Sequence, residues 1–376
     1  MTVHQIAKLA NVSAATVSRV LNNPETVKPE TAEAVRRVIQ QHESSASQTL
    51  IRRGPRQGLR TKKPQVSHTI AIVSIGQAAE PWFQKPVLAN VIAGITREAK
   101  ERGLVLQIEE AETAEQAGTL LRSRGVGGVL TFLSAWSDPD TLQALNRHVP
   151  VVRVMGEASA MGVDHVCPDN LAVGGVAFDY LMAAGCRNVA FLTANPSWDL
   201  IYTRAYGFQT HALRCGATES PTAFIVTNKN TERELYGLRT VTRATLEELV
   251  DAFVAASPRP AGLFVPRDEE TVAVYRLLAA RGVRPGRDVT VVSCDNEDMR
   301  LSALDPRPAS IELGTVDIGR LAVRRLLSRM RRQHEPAVKI QSSPRLVTAS
   351  GEISIAQNGN GNGIGINERQ PASAES

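Results

Sequence analysis

The run "SAATVSR" at positions 13–19 gathers small and hydroxyl-bearing residues with one arginine. The hydroxyls of Ser13, Thr16 and Ser18 suit phosphate oxygens. Ala14 and Ala15 let a helix sink into a major groove; their methyls suit a thymine methyl but cannot hydrogen-bond a base. Arg19 can meet a guanine edge with its two-pronged donor set. The chemistry of this stretch is recognition of nucleic acid. A second stretch, "LIRRGPRQGLRTKK" at 50–63, carries six cations, Arg52, Arg53 and Arg56 among them, and no acidic residue. It reads either as a solvated linker or as an arm that lies on phosphates or in a minor groove. Residues 1–63 hold eleven Lys/Arg against four Glu, a net +7, while the other 313 residues carry −2. A basic front on a near-neutral body points to an anionic partner for the front alone.

Catalysis has no comparable pattern. The seven histidines, His4, His42, His68, His148, His165, His211 and His334, follow none of the strand-like runs described below, and no two are spaced as a metal pair. Cys167, Cys186, Cys215 and Cys294 are far apart and form no Cys-x-x-Cys. That argues against zinc and against a disulfide framework, and it fits a reducing cytoplasm. There is no Gly-x-Gly-x-x-Gly after the first strand-like run, no Walker loop and no Gly-x-Ser-x-Gly. Binding is therefore expected rather than catalysis, with no cofactor. The N-terminus has no apolar core of a signal peptide, and no apolar run approaches the roughly 20 residues of a membrane span.

Three short helices must position the reading residues. Ile6, Leu9 and Ala10, then Val17, Val20 and Leu21, then Val35, Val38 and Ile39 repeat at helical spacing. Ser13 is a good N-cap, Asn22 to Pro24 stop the second helix, and Pro29 fits the first turn of the third. The turn between the first two helices spans only Asn11 to Ser13, the spacing of a helix-turn-helix.

From His68 onward, apolar runs alternate with helical stretches of 12–18 residues: "TIAIVSI", "LVLQI", "VGGVLTF", "PVVRV", "NVAFLT", "TAFIV", "AGLFV" and "VTVVS". This rhythm predicts parallel sheets covered by helices on both faces, in two α/β lobes. Ligands bind beyond strand carboxyl ends in such folds, so the segments after these runs are the candidate site. Trp82 and Phe83 lie after the first and could stack on a sugar face.

The stretch "IAKLANVSAATVSRVLNNPETVKPETAEAV" resembles the headpiece of the LacI (lactose-repressor-like) regulators. "PDNLAVGGVAFDYLMAAGCRNVAFLT", "RAYGF" at 204–208 and "VTVVSCDN" extend the resemblance to about residue 350. It implies an N-terminal three-helix helix-turn-helix headpiece on an α/β, periplasmic-binding-protein-like body of two doubly wound parallel-sheet lobes. It places Ala14, Ala15 and Arg19 at base-reading positions, and Ser13, Thr16, Ser18 and Asn22 at phosphate or backbone contacts. Arg204, Asp295 and Asp268 fall at effector positions, with Arg267 where the family usually has an amide. The family's hinge helix, with its Ala-Arg-x-Leu pattern and minor-groove leucine, has no counterpart here: that leucine's position falls near Arg53, and Pro55 between Gly54 and Gly58 works against helix.

The expected division is a DNA-binding domain at 1–46, a basic hinge or linker at 47–67, and an effector-binding and dimerisation domain at 68–356. Its first lobe is about 68–167 plus 298–332 and its second about 168–297 plus 333–356. Residues 357–376, rich in Asn and Gly, read as a disordered tail. The implied protein is a cytoplasmic homodimeric regulator, most simply a repressor. It binds a pseudopalindromic double-stranded DNA operator and answers to a small-molecule effector, a carbohydrate or its derivative, with no membrane role.

Overall fold

The computed structural model describes residues 3–22, 27–43, 67–76, 78–132, 139–156, 162–194, 199–215, 222–227, 240–242, 245–332, 334–357 and 364–368. The chain divides into two compact units, Met1–Gln65 and Val66–Ser376.

The first unit holds three helices, α1 (Val3–Leu9), α2 (Ala14–Asn22) and α3 (Pro29–Glu43). Ile6, Ala7, Val17, Val20, Ala32 and Val35 are buried together, so the helical periodicity of the sequence closes one small core. The α1–α2 turn is held by Ala10 N–H to Ile6 O and Val12 N–H to Ala7 O, both 2.9 Å. Asn11 turns it with φ +50°, a left-handed conformation that asparagine tolerates better than most residues.

The second unit begins with β1 (Thr69–Ile75), α4 (Glu80–Gln84), α5 (Pro86–Glu101), β2 (Val105–Ala111), α6 (Ala114–Ser123), β3 (Gly128–Thr131), α7 (Pro139–His148), β4 (Val151–Val154) and β5 (Asp164–Pro168). There follow α8 (Asn170–Ala183), β6 (Val189–Thr193), α9 (Asp199–Arg214), β7 (Thr222–Thr227), β8 (Thr240–Thr242), α10 (Leu246–Ala255), β9 (Gly262–Phe264), α11 (Asp268–Ala280), β10 (Thr290–Cys294), α12 (Asp298–Leu301) and β11 (Ala309–Glu312). Then come α13 (Thr315–Arg331), β12 (Lys339–Ser342), β13 (Arg345–Thr348), β14 (Gly351–Gln357) and β15 (Ile364–Glu368).

Two sheets result. One is six-stranded and parallel, in the order β12-β5-β4-β3-β1-β2. The other is nine-stranded, β15-β14-β13-β11-β10-β9-β6-β7-β8, with its β13 to β15 end antiparallel. Side chains of β1 alternate between faces. Ile70 and Ile72 pack under α5 and α13, while Ala71 and Val73 pack under α6 and α7. In the second sheet Phe191 and Phe264 pack against α8 and α9, and Leu192 and Leu263 against α10 and α11.

Each of the eight apolar runs is a strand, with ends shifted by a few residues at most. The lobe boundaries need correction. The chain crosses between lobes three times, after β5, after β11 and after β12. Strand β11, expected with the first lobe, pairs in the second sheet; β12, expected with the second, pairs in parallel with β5 in the first. Both are short and of mixed polarity, so hydrophobic periodicity does not assign them. Residues 364–368 of the expected disordered tail also differ: β15 pairs antiparallel with β14, Ile355 opposite Ile366, while 358–363 and 369–376 lie outside the described residues. The alternating "IGINE" that follows the Asn-Gly repeats has the pattern of a hairpin strand.

Helices α5 and α13 meet backbone to backbone. A Cβ on Gly94 would lie 2.0 Å from the carbonyl oxygen of Val316, and one on Gly319 would lie 2.1 Å from that of Val91. Gly94→Ala is therefore expected to force the helices apart and cost about 3 kcal/mol. Urea unfolding checks this.

Candidate functional site

The headpiece presents its reading residues from the start of α2. Ser13 caps the helix: its Oγ accepts the Thr16 N–H at 3.1 Å and lies 2.8 Å from Thr16 Oγ1. The two hydroxyls thus hold one another as well as facing solvent. Ala15, Ser18 and Arg19 are exposed, as groove-facing residues must be. Ala14 is half-buried and packs against the core, which leaves it less free to read a base than Ala15. Asn22 ends α2, its side chain outside the described residues, and Arg52, Arg53 and Arg56 also lie outside them.

In the body, a cleft of about 350 Å³ is lined from both lobes. Lys85, Leu88, Met155 and Gly156 line one side; Leu200, Arg204, Arg267, Asp295, Glu297 and Arg300 line the other. Its centre is an ion pair. Arg204, on α9, is buried; its Nε donates to Asn170 Oδ1 at 3.0 Å, Nη1 donates to the Pro266 carbonyl, and Nη2 donates to Asp295 Oδ1 at 3.4 Å. Asn170 opens α8, which Asp169 caps by accepting the Ala172 N–H at 3.0 Å. Asp295 follows β10 directly with φ +107°, and Asn296 comes next at +51°. Two consecutive non-glycine residues at positive φ store backbone strain of the kind concentrated at ligand sites. On the opposite lobe Met155 is likewise left-handed, at +64°. His165 Nε2 donates to its carbonyl at 2.9 Å, and burial lowers the His165 ring to about 4, so the ring is neutral at neutral pH.

Asp268 is not a lining residue. Its carboxylate is fully buried, accepting Ser293 Oγ at 2.5 Å, Ser310 Oγ at 2.9 Å and the Glu297 N–H at 2.6 Å. It ties α11 to β10, β11 and the loop after β10, and so supports the turn that presents Asp295. Burial pushes Asp268 upward from the ordinary carboxylate range, with the nearby Asp295 charge adding to this. Burial also raises Asp295, partly opposed by Arg204.

Both aromatic candidates sit elsewhere. Trp82 is in the core, edge-on to Phe132 at 5.1 Å. Phe83, one residue on, is 48% exposed and does not line the cleft. On the short α4, sequence position after β1 does not fix which way a ring points. Arg267 pairs with Glu269, its neighbour two residues on. Sequence reasoning missed Lys85 and Arg300, which follow no apolar run closely, and Glu297, which directly follows the stretch "VTVVSCDN". It missed Asn170 as well, whose only signal is its place at the start of a helix. An open depression of about 530 Å³ between Glu112, Glu115, Asp140 and Arg147 lies within the first lobe, away from the buried ion pair.

A helix-turn-helix headpiece and a two-lobed body, with a cleft of apolar and charged lining between the lobes, define a ligand-responsive DNA-binding regulator. Residues 2–44 match the bacterial regulatory proteins of the lacI family, and residues 178–349 match the periplasmic binding protein-like domain. The HTH-type transcriptional regulator CelR of Thermobifida fusca is 26% identical over 357 residues, 93% of this chain and 98% of that protein. The transcriptional repressor PurR of Salmonella paratyphi B is 25% identical over 353 residues, 92% and 95% of the two chains. Among solved structures, a CelR–cellobiose complex matches with a TM-score of 0.56 at 24% identity, covering 93% of this chain and 98% of that one. A Lac repressor bound to ONPG matches with 0.56 at 18%, with the same coverage. The chain thus carries a DNA-binding domain of the lacI type followed by a periplasmic-binding-protein-like domain. It is a DNA-binding transcriptional regulator, and among its described residues no helix is long and apolar enough to cross a membrane.

Proposed function

We propose that this regulator acts as a homodimeric repressor in the cytoplasm, reading a pseudopalindromic operator with paired headpieces and releasing or gripping it according to a carbohydrate-type effector in the cleft. The observation that carries this reading is the Arg204–Asp295 pair, buried where the two lobes face one another. A guanidinium fork beside a carboxylate can exchange part of its mutual bonding for vicinal hydroxyls, closing the lobes on the ligand. CelR's complex with cellobiose supports the same ligand class. The engagement of Arg267 by Glu269 favours a neutral sugar over a phosphorylated one, because a phosphate would have to displace an existing carboxylate. The cleft works by binding, without turnover of the ligand. By linkage, operator and effector must shift one another's affinity by the same factor.

Selection of bound DNA from a random pool, with and without sugars and sugar phosphates, tests this. An enriched palindrome whose recovery changes with one ligand supports the reading; absence of any palindrome sinks it. In the same assay Arg19→Ala should weaken operator binding by about 1–3 kcal/mol and relax one base position in each half-site. Equal weakening for all sequences would place Arg19 on phosphate instead. Neutralising Arg52, Arg53 and Arg56 together belongs in the same series, read as the slope of affinity against salt: a flatter slope assigns that segment to phosphate.

A further inference from the structure

Helices α8 and α9 run side by side in parallel and are joined twice. At the cleft end Asn170 holds Arg204. Between the ties the backbones nearly touch, since a Cβ on Gly174 would lie 2.2 Å from the Arg204 carbonyl oxygen and one on Gly207 would lie 2.1 Å from that of Leu171. About 13 Å further along, at 1.5 Å per residue, Asp179 Oδ1 lies 2.8 Å from His211 Nε2. Cys215 stands one turn after His211 on the same face. One ligand atom from each of Asp179, His211 and Cys215 falls within 4.8 Å of the other two.

We propose that Asp179, His211 and Cys215 form a site for one divalent metal ion of the zinc type, which clamps α8 to α9. One thiolate, one imidazole and one carboxylate make a mixed donor set that selects borderline-soft ions over magnesium or calcium, and three ligands leave a fourth position for water. The imidazole is already oriented. Gly175 lies beneath it, where a Cβ would approach Nδ1 to 3.2 Å, and Phe178 meets the ring edge-on at 5.9 Å. Access is open: Asp179 and His211 are partly exposed, and Cys215 is exposed while Cys167, Cys186 and Cys294 are buried. Cys215 is thus the one thiol poised to reach an ion from solvent.

Proton balance is simple. The ion displaces the thiol proton of Cys215 into solvent; the Nε2 proton that His211 shares with Asp179 is also given up to solvent, and the ring's one remaining proton sits on Nδ1, so that Nε2 offers its lone pair. The Asp179–His211 hydrogen bond is exchanged for two metal bonds. Sequence spacing hides the site, because Asp179 comes from a helix 32 residues before His211. The site is independent of the effector reading: it needs no ligand in the cleft and no operator.

The probe is cobalt(II), added to the full chain after chelator dialysis, with zinc as competitor. The expected result is one equivalent per chain, with a thiolate-to-cobalt charge-transfer band in the near ultraviolet that zinc abolishes. Cys215→Ser should remove the band while far-ultraviolet circular dichroism stays unchanged, and Asp179→Asn and His211→Ala should each weaken binding at least tenfold. No band, a band that survives Cys215→Ser, or weak uptake without a whole-number stoichiometry would each overturn the proposal. Should His211→Ala fail to fold, Cys215→Ser and Asp179→Asn decide the matter alone.

Discussion

Arg204→Ala is expected to abolish the response to effector and to destabilise the body by about 3–5 kcal/mol, while Arg19-dependent operator recognition remains. The side chain binds three partners at once, and its removal strands Asp295 in a buried position with Asp268 as its neighbour. Breaking a buried pair on one side costs this much because the remaining charge has no counter-ion. The pH dependence follows from the sign of the Asp295 shift. Its folded value is raised by burial, and without Arg204 it rises further. A carboxyl raised above its unfolded value near 3.9 loses stability as pH climbs, until the folded group ionises. The deficit should therefore be smaller at about pH 5 than at about pH 8. Urea titrations at the two values check it. A constant deficit would assign the loss to packing and not to charge. Arg204→Lys should fall between, since lysine keeps the charge but cannot reach Asn170, Pro266 and Asp295 together.

Asp164→Ala should be as severe, by a different route. Asp164 is fully buried at the start of β5, and its two oxygens accept five donors. Arg329 approaches to 2.7 Å through both Nε and Nη2, Arg325 to 2.8 and 3.1 Å, and the Val338 N–H to 2.8 Å. One carboxylate thus fastens β5, α13 and the approach to β12. Alanine leaves two guanidinium groups facing each other, at a cost of about 3–5 kcal/mol. Burial alone would raise this carboxyl, but the Arg329 and Arg325 hydrogen bonds outweigh it and hold it below the ordinary range. Its contribution is then complete above the unfolded value near 3.9 and fades as pH falls through the folded one. The wild type should lose stability on acidification through this window more steeply than the variant. Parallel acid-unfolding curves would contradict the assignment.

How far the sequence carried can be judged from particular residues. Eight strands were legible because central parallel strands are buried on both faces and read as continuous apolar runs. Strand β5, "DHVCP", was not, because Asp164 and His165 are buried polar residues whose partners come from distant segments. Arg204 and Asp295 were legible through motif resemblance, and the structure brings them together. Asp268 was legible as a position but not as a role: three donors from three segments enclose it, and no local pattern reports that. Trp82 and Phe83 are adjacent in sequence, yet one is core and the other solvent-facing. Ring direction there depends on where α4 packs, which is tertiary information.

The three crossings between lobes also bear on how the protein is made. The first lobe lacks its edge strand β12 and its covering helix α13 until more than three quarters of the chain has left the ribosome. Until then Val91, Ile92 and Ile95 of α5 pack on the sheet without the α13 side chains Ile318, Ala322 and Val323 that complete their cluster. The headpiece has its own core within residues 1–65. Synthesis therefore produces a foldable DNA reader first and a regulated one only at the end. A chain stopped before α13 would leave the reader without a complete lobe to govern it.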